Sequence, residues 1–335
     1  MRLELPRPST GFNCFKTHLH LLNSSLLTHH YHSNGKLLLT AEFLVIEGAK
    51  ALALPGPLGQ RLSISSLDSP AIHWKSYTVK GELWYDQRFT LNKQQQLIPE
   101  TADTTETTQR LQQIFTIIHQ LNPTALSGGL SFESHLEFPQ DWGLGSSSTL
   151  LANLAQWAKV NPFELSARTF GGSGYDIACA MHNHPITYQL GDDHTQPEVH
   201  PVNFAPQFSD QLFFVHRNQK QNTRDRVGEY HQNNPAKKQA WMTKASALTE
   251  AFLSCSELAD FEALIKTHER LLAEVLQMPP VGEELFPDFK GAVKSLGAWG
   301  GDFMLATGDE TAKAYFKNKG YHTILDYHDL VYSGR

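Results

Sequence analysis

Apolar positions begin to cluster after Lys36. The run 37–46 (Leu-Leu-Leu-Thr-Ala-Glu-Phe-Leu-Val-Ile) is β-prone, is interrupted by one carboxylate and closes at Glu47-Gly48, so it predicts a strand. A second strand is predicted over 131–138, where Phe132, Leu136 and Phe138 share one face and Pro139 ends the segment. Leu150, Leu151, Leu154, Trp157 and Ala158 then recur at three- and four-residue spacing, the pattern of a helix that buries one face. Between strand and helix lies a Gly/Ser turn. Further strands are predicted over 186–190, 212–215, 302–306 and 322–325, and a largely helical segment over 239–276, broken near Cys255. Residues 1–31 mix Pro6, Pro8 and Gly11 with a His/Ser/Thr-rich run and show little periodicity, so a poorly ordered extension is expected there.

Composition narrows the class. A chain of 335 residues exceeds one typical hydrophobic core, and 40% apolar residues can build two. The expected division is 1–31, 32–200 and 201–335, with the boundary in the polar stretch 191–211, which carries Pro197, Pro201 and Pro206. The 28 basic residues against 34 acidic ones leave a net charge of −6, which argues against general binding to nucleic acid or anionic membranes. Three cysteines without close spacing, Cys14, Cys179 and Cys255, exclude a disulfide framework and a Cys-based zinc ribbon. No stretch approaches the ~18–20 apolar residues of a membrane span. The N-terminus lacks the compact apolar core of a signal peptide. A soluble cytoplasmic protein, monomer or homodimer, is expected.

Four short segments carry candidate chemistry. Gly143-Leu144-Gly145-Ser146-Ser147-Ser148 opens the predicted helix, where backbone N–H groups and the helix dipole favour an anion and glycine allows close approach. A plain serine cap after a glycine turn accounts equally for that segment alone. Gly172-Ser173-Gly174-Tyr175-Asp176 places a carboxylate on a tight turn, suited to accepting a proton or orienting a hydroxyl, or to capping a helix. Lys36 follows Gly35 without the spacing of a Walker A lysine; it is either a point charge for a phosphate or a solvated strand-entry residue. Gly297, Gly300 and Gly301 within 294–302 suggest backbone held close to a ligand, or a tight turn. The histidines at 29, 30 and 32, and at 182 and 184, lack the carboxylate or cysteine spacing of a metal site.

The order of these segments is more specific than any one of them. Gly35-Lys36 with Leu37 to Phe43, then the Gly-Leu-Gly-Ser-Ser-Ser string, then Gly174-Tyr175-Asp176-Ile177-Ala178, then Gly297 to Asp302 resembles the GHMP kinase superfamily over about residues 32–330, in its mevalonate-pathway-like branch. The resemblance implies an α+β protein of two domains: an N-terminal ATP-binding α/β domain with a left-handed βαβ unit, and a ferredoxin-like C-terminal domain. It implies that the backbone from Gly143 through Leu144, Gly145, Ser146 and Ser147 to Ser148 cradles ATP, and that Ser147 and Glu42 serve Mg²⁺. Asp176 matches the catalytic carboxylate and Lys36 the lysine beside the transferred phosphoryl group. Gly297, Gly300 and Gly301 match the closing motif around the substrate.

Two departures stand out. Trp299 occupies a position that is normally glycine, and Leu165 stands where mevalonate kinase carries a second acid, with Glu164 beside it. Arg217, Lys220, Arg224 and Arg226 concentrate four cations in ten residues, so Lys220 or Arg224 is expected to bind a small acidic substrate, unless the segment is a solvated loop. Phosphomevalonate is placed slightly ahead of mevalonate as acceptor. A decarboxylating relative, a sugar or homoserine kinase, and a non-catalytic nucleotide-binding protein remain as alternatives.

Overall fold

The computed structural model describes residues 28–102, 104–218, 237–297, 299 and 302–332. Lys220, Arg224, Gly300 and Gly301, and the extension up to residue 27, lie outside the described residues. The chain begins in β1 (His29–Leu38), which pairs antiparallel with the long β2 (Ala51–Leu67). β3 (Ile72–Tyr77), β4 (Leu83–Leu91) and β5 (Leu97–Pro99) extend one side of the sheet. α1 (Glu106–Leu121) then leads to β6 (Gly129–Leu136), which enters between β3 and β2. After β6 come α2 (Ser146–Ala158), α3 (Pro162–Thr169) and α4 (Tyr175–Ala180), then β7 (Ile186–Gln189) and β8 (Glu198–Pro201). The order is β5-β4-β3-β6-β2-β7-β8, with β1 against β2 off that path.

The second sheet is antiparallel. β9 (Leu212–His216) is followed by α5 (Lys238–Ser254), α6 (Leu258–Leu276) and the short α7 (Val281–Leu285). β10 (Val293–Ser295) and β11 (Phe303–Thr307) form a hairpin, and α8 (Glu310–Asn318) leads to β12 (Ile324–Asp326) and α9 (Tyr327–Leu330). The spatial order β10-β11-β9-β12, with helices between the first and second strands and between the third and fourth, is the ferredoxin-like arrangement. One core joins the sheets: Leu37, Leu39, Leu52 and Leu54 of the first pack in a cluster with Phe214, Leu305, Phe261 and Tyr327.

Two expectations change. Strand β1 runs from His29 to Leu38, starting earlier and stopping sooner than the apolar run 37–46 predicts. Ala41 (φ 62°) and Phe43 (φ 63°) adopt left-handed backbone, which breaks the extended chain, and Leu44–Glu47 form a 3-10 turn. Upstream, His30 and His32 belong to the strand, where they bond Ser63 at 2.9 Å and Glu137 at 3.0 Å. The helical segment does divide at Cys255, as its pattern predicts.

Candidate active site

α2 is fixed on the sheet by a buried polar relay. Thr149 donates to Gln60 Oε1 (2.6 Å), Asn153 donates to the Gln60 carbonyl (2.9 Å), and Ser33 donates to Asn153 Oδ1 (2.8 Å). Each buried polar atom is matched, so the helix start has one position available to it. At that start Gly143 (φ 65°) and Gly145 (φ 90°) take left-handed backbone, and Gly145, as N-cap, offers no side chain to the first-turn amides. Those amides point outward with the positive end of a thirteen-residue helix behind them.

Lys36 is laid across this turn. Its backbone N–H donates to the Leu144 carbonyl (3.1 Å), and its aliphatic stem runs so close over Gly145 that an added Cβ would meet Cγ at 3.1 Å. The ammonium lies 5.7 Å from the centre of the Tyr175 ring. Burial works to lower the affinity of this amine for its proton, but Tyr175, Asp302 and Asp176 outweigh it and hold the pKa above the usual lysine range. Lys36 is therefore a fixed cation among two carboxylates and a phenol. Burial pushes the Tyr175 phenol up to about 12, so it stays neutral.

Asp176 comes from the other turn. Gly174 takes left-handed backbone (φ 83°) in a tight place: a Cβ would lie 3.2 Å from both Phe163 and the Tyr188 hydroxyl. Tyr188 donates to the Ser173 carbonyl and pins the turn. In the first turn of α4, Asp176 Oδ2 accepts from the Ser148 hydroxyl, and Oδ1 accepts from the Ile177 N–H at 3.0 Å. The Ser/Gly turn and the Asp turn thus meet through Ser148, while Ser147 beside it is exposed.

The hairpin turn between β10 and β11 supplies a residue that the motif reading did not assign. Asp302, itself left-handed (φ 54°), lies with its carboxylate against Gly143, and a Cβ there would sit 2.2 Å from Asp302 Cγ. Lys36, Trp142, Gly143, Gly297 and Asp302 line one recess. The Gly-Gly-Asp ending of the closing motif was the available signal.

Other expected residues are engaged elsewhere. Glu42 has no exposed side-chain surface, and its Oε1 accepts from Lys294. Leu165 is core, and Glu164 pairs with Arg168 at 3.5 Å on α3. Among the described residues no group of three or more His, Cys, Asp or Glu side chains is placed to hold a metal, and no helix is long and apolar enough to cross a membrane.

No family model and no curated relative matches the chain. Solved structures do. A Lin0012 protein from Listeria innocua superposes with a TM-score of 0.66 at 17% identity, over 89% of this chain and 99% of that one. The Streptococcus pneumoniae phosphomevalonate kinase, in complex with phosphomevalonate and AMPPNP, gives 0.66 at 18% identity over 89% and 99%. The Methanococcus jannaschii mevalonate kinase gives 0.63 at 14% identity over 91% and 98%. These likenesses span both sheets and establish a shared two-domain fold.

Proposed function

We propose that this chain, which has the two-domain GHMP kinase fold, is an ATP-dependent phosphotransferase acting on a small mevalonate-type acid, with phosphomevalonate first and mevalonate second as acceptor. The observation that carries the reading is the convergence of Lys36, Asp176 and the α2 N-terminus through Ser148 and Tyr175. Phosphoryl transfer asks a protein mainly for positioning and for fixed positive charge around the transferred group, and this constellation offers both.

The residues have definite parts in that chemistry. The first-turn amides of α2 and the Gly143–Ser147 backbone hold nucleotide phosphates. Lys36 neutralises the group in transfer. Asp176, oriented by Ser148 and by the Ile177 N–H, faces the acceptor and can take its proton. Mg²⁺ fits as a companion of the nucleotide: the exposed Ser147 hydroxyl stands at the helix start, whereas Glu42 is committed to Lys294. When bound, the metal supplies charge neutralisation on the phosphates.

The likeness to the pneumococcal phosphomevalonate kinase supports the acceptor class, and so does the cluster of four cations over 217–226 in an acidic chain. A mevalonate diphosphate decarboxylase from Staphylococcus aureus shares the fold with a TM-score of 0.58 at 12% identity, which makes decarboxylation the second reading. An ADP-release screen with mevalonate, phosphomevalonate, diphosphomevalonate, homoserine and common sugars tests the proposal. ADP with phosphomevalonate or mevalonate and no gas supports it. Carbon dioxide alongside ADP from a diphosphorylated acid moves the chain to the second reading, and no ADP with any acceptor overturns both.

A further inference from the structure

The chemistry above leaves unused a group of buried ionisable side chains. Glu42, Lys294 and His268 have no exposed side-chain surface, and Glu269 has 2%. They lie on three elements: the left-handed turn after β1, the edge strand β10, and α6. As an edge strand, β10 has β11 on one side only, and the Ser295 peptide groups bond to side chains. Ser295 N–H donates to Glu269 Oε1 (3.1 Å), and the Ser295 carbonyl accepts from Lys294 Nζ (2.9 Å). The same Nζ donates to Glu42 Oε1 and lies 3.8 Å from Glu269 Oε1. His268 Nε2 accepts from the Ala41 N–H (2.9 Å) and stands 3.5 Å from Glu42 Oε2. Accepting at that nitrogen makes the ring neutral, with its proton on Nδ1.

Two pieces of backbone are tied together in this way. Ala41 and Glu42 lie in the turn beyond the end of the strand that carries Lys36, with two residues between. Ser295 directly precedes the hairpin connection whose far end carries Asp302. Lys36 and Asp302 both reach the Gly143 recess. Burying one cation between two carboxylates is expensive compared with burying an apolar side chain of similar size, and what it provides is directional bonding to specified atoms. Trp299, 2% exposed and packed in the same core cluster as Ala41, Phe43 and Leu44, is a second anchor of the hairpin on this region.

We propose that Lys294, with Glu42 and Glu269, is a positioning residue for the nucleotide site: it holds the β10–β11 hairpin, and with it Asp302, in register with the Lys36 strand. The inference rests on the nucleotide-dependent reading above. Two acids share one lysine, and burial drives the Glu42 carboxyl up to about 7 and the Glu269 carboxyl to about 8 despite the attraction of Lys294, so a proton retained by the pair balances the remaining charge.

The test compares the full chain with K294M, E269Q and the double variant E42Q/K294M. The dissociation constant of Mg-AMPPNP is measured by calorimetry, and thermal unfolding is followed beside it. Lys294→Met is expected to weaken AMPPNP binding by about tenfold in protein that remains folded. The double variant should weaken it no further, because the two side chains act as one unit. Glu269→Gln keeps the shape and the bond to Ser295 and should stay within about twofold of wild type near neutral pH. If K294M does not fold, the double variant, which leaves no unpaired charge, carries the comparison. A lower unfolding temperature with unchanged AMPPNP affinity in folded protein overturns the positioning role. Absence of AMPPNP binding by the unmodified chain overturns the nucleotide reading and this inference with it, and is recognised from that chain alone.

Discussion

The carboxylate of Asp302 rests against the α-carbon of Gly143, so closely that a methyl group added to that glycine would lie 2.2 Å from Asp302 Cγ. Gly143 also holds left-handed backbone (φ 65°). Gly143→Ala therefore meets two obstacles, a conformational cost of about 1–2 kcal/mol and the displacement of Asp302. We expect a loss of roughly 2 kcal/mol in urea unfolding, together with weaker Mg-AMPPNP binding by calorimetry. Unchanged affinity would mean that the Asp302 contact has no bearing on the nucleotide.

Asp176→Asn and Lys36→Met should each lower ADP release by at least about a hundredfold. Their far-ultraviolet circular dichroism and unfolding midpoints should stay close to those of the parent chain. Asn retains an oxygen for the Ser148 hydroxyl but cannot take a proton, so the comparison isolates chemistry from packing.

Ser148→Ala removes the hydroxyl that orients Asp176 Oδ2 and leaves the backbone of the cradle in place. Turnover should fall about tenfold or more, with little change in KM for ATP. A rise in KM with unchanged kcat would assign Ser148 to nucleotide binding instead.

Stability should depend on pH through the buried acids. Glu42 and Glu269 are raised in the folded chain, to about 7 and about 8, above the value of 4.5 for an ordinary glutamate. The folded state thus holds protons that the unfolded chain releases, and the stabilisation present below pH 4.5 is lost as the pH rises through 7 to 8. Urea midpoints should fall across that window. Glu269→Gln, which cannot ionise, should flatten the decline, and an equally steep decline in that variant would remove Glu269 as its source.

Trp299→Gly restores the residue usual at this place in the resembled motif. The substitution relieves left-handed strain (φ 43°) but empties a site where the indole is 2% exposed. Large-to-small changes in cores cost about 3–5 kcal/mol, and the relief returns about 1 kcal/mol, so a net loss of roughly 2–4 kcal/mol is expected in urea unfolding. A stabilised variant would show that the indole contributes no packing there.

Particular residues show why parts of the molecule were legible in advance. The helix at Ser146 and the strand around Phe132 follow from periodicity, the strand around Phe214 from a short continuous apolar run that is buried on both faces, and the break at Cys255 from the lapse of the helical pattern there. The end of β1 was not legible. Leu44, Val45 and Ile46 look like strand, and only the left-handed backbone at Ala41 and Phe43, held by His268 and by packing on α5, turns them away.

The site divides in the same manner. Lys36, the Gly/Ser turn and Asp176 are local signals, since glycines at fixed offsets announce tight turns whatever surrounds them. That Ser148 bonds Asp176, that Asp302 enters the Gly143 recess, and that Glu42 pairs with Lys294 across 252 positions of sequence were decided by the tertiary structure. Partners so far apart in the chain leave no common period or spacing. Ser148 meets Asp176 because α2 and α4 pack side by side on the first sheet, whereas Asp302 and the Glu42–Lys294 pair are brought to the site because two sheets share one apolar core, and the polar side chains there must bond with whatever the core brings beside them.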